Sequence, residues 1–248
     1  EALFCSDLVR MSVQHGKNSL HNVLKMGHLS KPVQQHIAKV YAVLASTLLS
    51  CAIGVYFRMR FNFGGSGQFL PFLASMGILV LLAIDSDKTN YKKRIGLVSA
   101  FGFFDGLCIA PLIQMAIKID PSIVVTATLG TGVVFACFSV SALLSSGKRT
   151  YMYLGGMLSS GMSILLVLSL LRFIFPSIGY LVFSVNLYFG LILFLGYILY
   201  DTQVMVAKAE DGDRDFVWHS VELFIDFIGL FVRILIILMQ NSKKKKRN

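Results

Sequence analysis

Residues 216–240 read FVWHSVELFIDFIGLFVRILIILMQ, an apolar run that carries His219, Glu222, Asp226 and Arg233. A helix needs about 20 apolar residues to cross the roughly 30 Å hydrocarbon core, and this run is long enough. At about 100° per residue, with His219 at zero, Glu222 falls near 300°, Asp226 near 340° and Arg233 near 320°. All four lie on one stripe about 60° wide, and most other positions are bulky and apolar. Charges at bilayer depth are costly and face a bundle interior or a water-filled cavity. A helix with this stripe is therefore expected at the centre of a bundle, packed on most sides by other helices.

The rest of the chain supplies those helices. Apolar segments run over 34–57, 68–85, 94–117, 122–145, 151–173 and 178–206. Hydrophobic residues make up 55% of the 248 residues and charged residues 15%, against about 25% charged in a soluble domain. The mean hydropathy is +0.70, so lipid is the natural solvent. Spanning backbone must satisfy its own hydrogen bonds, which leaves helices or a closed barrel. The runs are continuous rather than alternating at period two, so the reading is an all-α integral membrane protein with seven hydrophobic helices. Its parts are an N-terminal arm over 1–33, a membrane domain over 34–240 and a solvated basic tail over 241–248. No apolar leader precedes the arm, and no cleaved signal peptide is expected.

The net charge of +10 lies in short loops and the tail, which fits topology and anionic headgroups better than nucleic acid. With the N-terminus in the cytosol, twelve Lys and Arg fall on the inside, Arg94 among them, and four, Arg58 among them, on the outside. Seven full crossings put the tail outside; a re-entrant last segment returns it inside and improves the bias, so charge counting prefers an even number of crossings. The terminal KKRN, with Lys245 and Lys246, is similar to a dilysine retrieval signal, which requires a cytosolic tail. The plainer reading of that tail is headgroup contact.

Small residues in the fifth segment, Gly155, Gly156, Ser159, Ser160 and Ser163, give close-packing spacings for a neighbouring helix. Cys51, Cys108 and Cys137 lie within apolar runs and read, with Cys5, as small buried hydrophobes.

Four acids fall within the spans: Asp105, Asp201, Glu222 and Asp226. Asp85, at a helix end, is expected to be wet. A tight loop near 207–215 makes the last two helices antiparallel and lets Asp201 and Asp226 approach. Two carboxylates in contact cannot both ionise cheaply, so the pair shares a proton. With the proton the pair is a clasp between two helices. Without it the charges repel, and the oxygens suit a hard cation such as Ca²⁺. The alternative is that each acid is satisfied separately. Glu222 is either a third acid of the same cavity or wet near the helix end. Arg233 reaches Asp226 only by bending back, so its partner is expected elsewhere. His219 beside Trp218 reads as an interfacial pair rather than a proton relay. Asp105, in GFFDGLCIAP, either lines the cavity or caps a kink before Pro111.

YDTQ at 200–203, KAEDGDRDFVWHSVELFIDFIGLF at 208–231, DPS at 120–122, TYMYLGG at 150–156 and QQHIAKVYA at 34–42 resemble the Bax inhibitor family, its animal endoplasmic-reticulum members above all. The resemblance spans residues 30–240. It implies six helices wrapping a central C-terminal helix, a Ca²⁺ leak, suppression of cell death and partners among Bcl-2 family proteins. The family's paired aspartates match Asp201 and Asp226, and Glu222 stands where animal members often carry an acid. Bacterial members carry a further glutamate in the second helix. Residues 68–84 hold none, so that role has no counterpart here.

Three non-enzymatic functions compete: a pH-gated Ca²⁺ leak of the endoplasmic-reticulum membrane, a Ca²⁺/H⁺ exchanger using the same acids, and a scaffold acting through protein contacts. Each uses no cofactor beyond Ca²⁺ as cargo. An intramembrane aspartyl protease would need a GxGD motif at its second aspartate and a following PAL. Asp226 sits instead in FIDFIG, and no enzyme is expected.

Overall fold

The structure, a computed structural model, describes residues 29–61, 69–85, 90–144, 152–174 and 179–247. The N-terminal arm up to residue 28, with Cys5, and the side chain of Lys246 lie outside the described residues. Within them the chain forms seven helices and no strand. They are α1 (Lys31–Phe61), α2 (Phe69–Ile84), α3 (Tyr91–Ile119), α4 (Ser122–Leu144), α5 (Met152–Ile174), α6 (Gly179–Glu210) and α7 (Phe216–Arg247). Helices α1, α3, α4, α5 and α6 are long and apolar enough to cross a membrane, and α2 is a shorter apolar helix of 16 residues. The chain is a multi-pass membrane protein.

Helix α7 is the axis. It packs directly against α1, α3, α4 and α6, while α2 leans on α3 and α5 on α6. The main core forms along it: Val221, Phe224 and Leu230 meet Val40 and Leu44 of α1, Phe101 of α3 and Ile198 of α6. Phe101 and Phe224 meet edge to face with centroids 5.5 Å apart, and Phe135 of α4 meets Phe227 likewise at 5.3 Å. Leu49, Leu70, Leu129 and Leu166 point outward, where lipid covers them without cost.

Glycine decides how close α1 and α3 come. A Cβ on Gly106 would run into the Cys51 carbonyl, and one on Gly54 into the Phe103 carbonyl. A Cβ on Gly102 would fall 2.7 Å from the Thr47 carbonyl oxygen. Pro111, inside α3, has no N–H for the Leu107 carbonyl one turn back. The buried Arg58 of α1 fills that vacancy, its Nη1 donating to Leu107 O at 2.8 Å. Arg58 is thus a core residue rather than a loop charge, and it, not Asp105, satisfies the proline break.

Several expectations are sharpened or corrected. The basic tail is exposed at Lys243, Lys244 and Lys245 and is helical, since α7 continues unbroken over 32 residues to Arg247. An unbroken helix of that length, about 48 Å, does not re-enter. Its end, where Met239 packs with Ile113 and Ile123, lies opposite its start, where His219 meets His36. On α5, Gly156, Ser159, Ser160 and Ser163 are exposed, and the three hydroxyls bond back to their own helix. The packed face is instead Gly155 against Tyr200 and Gly161 against Leu193. Cys51 is buried and Cys108 half-buried, but Cys137 is exposed. Asp85 is largely covered and pairs with Lys93 Nζ at 3.0 Å.

Candidate functional site

The seam between α6 and α7 carries the acids. The turn over 211–215 reverses the chain at Gly212, whose φ of +96° suits a residue without Cβ. Asp215 then caps α7, its Oδ1 accepting from Trp218 N at 3.1 Å. Asp226 lies ten residues beyond Phe216, about 15 Å along the helix and near half the hydrocarbon thickness. It is 4% exposed.

Asp201 meets it from α6. The two carboxyls lie within side-chain hydrogen-bonding reach. Asp226 Oδ2 has no donor among the described residues. A carboxylate pair holds no hydrogen of its own, so a bond between the two requires a proton on one of them. The arrangement offers two oxygen-rich groups on separate helices, Asp226 buried and Asp201 half-buried.

Glu222 stands one turn nearer the 211–215 turn. It accepts from Trp218 Nε1 at 2.8 Å and lies 4.0 Å from Lys208 Nζ. It is a half-buried acid of the helix end, with its own partners. Arg233 does not bend back to Asp226. Its Nη1 donates to Gly229 O at 3.0 Å and its guanidinium lies 4.3 Å from the centre of the Phe194 ring. Asp105 stays apart from the pair, on α3 near Cys51 and Cys108, with Oδ2 buried and unpartnered among the described residues.

His219 is buried within the bundle and does not pair with Trp218. It is 1% exposed, and its Nδ1 lies 3.0 Å from Nε2 of the buried His36 on α1. Trp218 turns instead to Glu222. An edge-to-face pair of imidazoles, centroids 5.2 Å apart, thus joins α1 to α7. Sequence reasoning also passed over the lock at this end of the bundle. Arg94, at the start of α3, donates through Nη1 and Nη2 to both Asp215 oxygens at 2.8 and 2.9 Å. Both side chains are buried, at 3% and 7% exposure. No local pattern could have revealed a pair 121 residues apart, although an Arg at the head of an apolar run is a signal.

The family model described as Inhibitor of apoptosis-promoting Bax1 matches residues 33–243. The chain belongs to the Bax inhibitor family. Bax inhibitor 1 of Homo sapiens and of Bos taurus are each 39% identical to it over 238 residues, covering 96% of this chain and 99% of theirs. Bax inhibitor 1 of Arabidopsis thaliana is 41% identical over 218 residues, 88% of this chain and 86% of its own. The matched span takes in the whole α6–α7 seam and both of its aspartates.

Proposed function

We propose that this protein is a pH-sensitive Ca²⁺ leak channel of the endoplasmic-reticulum membrane that lowers stored Ca²⁺ and suppresses apoptosis. Asp201 and Asp226 form its proton latch and its transient Ca²⁺ ligands. The observation that carries this reading is the meeting of two carboxyls near mid-membrane depth, one of them on the central helix. With a proton between them they tie α6 to α7. Without it they repel and expose oxygens to a hard cation. Two carboxylates supply few of the roughly six to eight oxygens that a tightly held Ca²⁺ takes, which favours passage over storage. The N-terminus is cytosolic, which puts the Arg94–Asp215 lock and the 211–215 turn at the cytosolic end. Bcl-2 family proteins are partners consistent with the relatives' names.

The test is flux from liposomes loaded with a Ca²⁺ dye, across a pH series, for wild type, Asp201→Asn and Asp226→Asn. Loss of the pH response in both variants is the expected result. Unchanged flux and response in both would end the latch reading. A wild type that moves no Ca²⁺ at any pH would favour the second reading, a scaffold acting on cell death through protein contacts, to which the family's description points. Stoichiometric proton movement would favour exchange.

A further inference from the structure

Arg233 shares the stripe of Asp226 but has no acid. Its Nε has no acceptor among the described residues. From Pro121 to Tyr200, and from Phe227 to the end of the chain, the sequence contains no Asp or Glu. Helix α5, the part of α6 before Asp201 and the part of α7 beyond Asp226 therefore offer this guanidinium no carboxylate. A guanidinium keeps its proton in proteins, and an unpaired cation in a membrane is costly. Even so, the fold makes room for it. Gly190 of α6 lies against it, and a Cβ there would fall 2.7 Å from Nη2.

The group lines a cavity of about 590 Å³ between α5, α6 and α7, within the roughly 300–1,000 Å³ range of small-molecule sites. Val182, Leu187, Val232 and Ile236 give it apolar walls, and Asn186 gives it a polar edge, where the amide donates to Ser169 Oγ at 2.8 Å. Asn186 stands seven residues into α6, so this edge is about 10 Å from the helix start. The cavity thus lies toward one end of the bundle rather than at its middle.

We propose that this cavity binds an acyl lipid with an acidic head, its phosphate or carboxylate accepting from Arg233 and its chain lying against the apolar walls. The cavity combines the two halves of an amphiphile's recognition, one fixed cation and an apolar slot, and the bilayer supplies the ligand. The assignment is independent of the transport reading.

Native mass spectrometry of the full chain tests it, with phosphatidylglycerol, phosphatidylcholine or oleate added to the delipidated protein. The basic tail also attracts acidic lipid, so all proteins carry Lys243, Lys244, Lys245 and Lys246 changed to Gln. The expected result is a saturable one-to-one adduct with an acidic lipid, at least about tenfold weaker with phosphatidylcholine. Arg233→Gln and the cavity-filling Leu187→Trp should each weaken it at least about tenfold, roughly 1.4 kcal/mol. An adduct with phosphatidylglycerol alone makes the head a phosphate, and one with oleate makes it a carboxylate. Equal binding of phosphatidylcholine, an adduct that survives Arg233→Gln, or no adduct with either acidic lipid would overturn the proposal.

Discussion

Asp226 gains its character from where α7 holds it, buried and against Asp201. Asp226→Asn replaces a carboxyl that donates only when protonated by an amide that always donates. The variant should therefore mimic the protonated clasp at every pH. Wild-type flux is expected to rise as pH rises and the shared proton leaves. Asp226→Asn flux should stay low and flat, as read by dye release between pH 5 and 8; a wild-type-like slope in the variant would contradict the clasp. Arg94 offers a stability test. Its fork spans both oxygens of Asp215, and removing one partner of a buried pair typically costs about 3–5 kcal/mol. Arg94→Met should lower the melting temperature in detergent, and adding Asp215→Asn should recover part of the loss. A strictly additive double variant would show that the two residues act separately.

At the scale of elements, the closest packing in the bundle is that of α1 on α3, where glycine lets backbone carbonyls approach. Gly106→Leu should push the two helices apart and destabilise the protein by at least about 1–3 kcal/mol, since backbone cannot yield as a side chain can. Gly156→Leu, on the exposed face of α5, meets nothing and should be tolerated. Thermal unfolding followed by size exclusion compares them; equal losses would mean that the α1–α3 seam is not limiting. The contrast also marks what the sequence could disclose. Apolar length alone located every helix, because a bilayer sets a minimum run whatever the neighbours are. The acid-bearing stripe of α7 likewise marked its central place. Small-residue spacing on α5, in contrast, identified a face without showing whether a partner covers it. The Arg94–Asp215, His36–His219 and Arg58–Leu107 contacts join residues far apart in the chain, and no local period encodes which distant partner answers a buried charge.

At the scale of the whole molecule, one unbroken axis fixes the two ends relative to each other. The head of α7 meets the first turns of α1 through His36 and those of α3 through Arg94, so these starts share one end of the bundle. Met239 packs with Ile113 and Ile123, near the end of α3 and the start of α4, and the tail leaves there. Charge counting alone preferred both termini on one side, because it weighed five terminal basic residues against the crossings without knowing that α7 is continuous. Packing outranks that bias, since a central helix exchanges its ionisable stripe with protein partners rather than lipid. Ser30→Cys and Lys244→Cys, both exposed positions, placed singly in a background with Cys5 and Cys137 changed to Ser, should therefore differ in sealed vesicles. A membrane-impermeant maleimide should label one before permeabilisation and the other only after it. Labelling of both before detergent would mean that the last helix turns back, and the axial α7 would then be wrong.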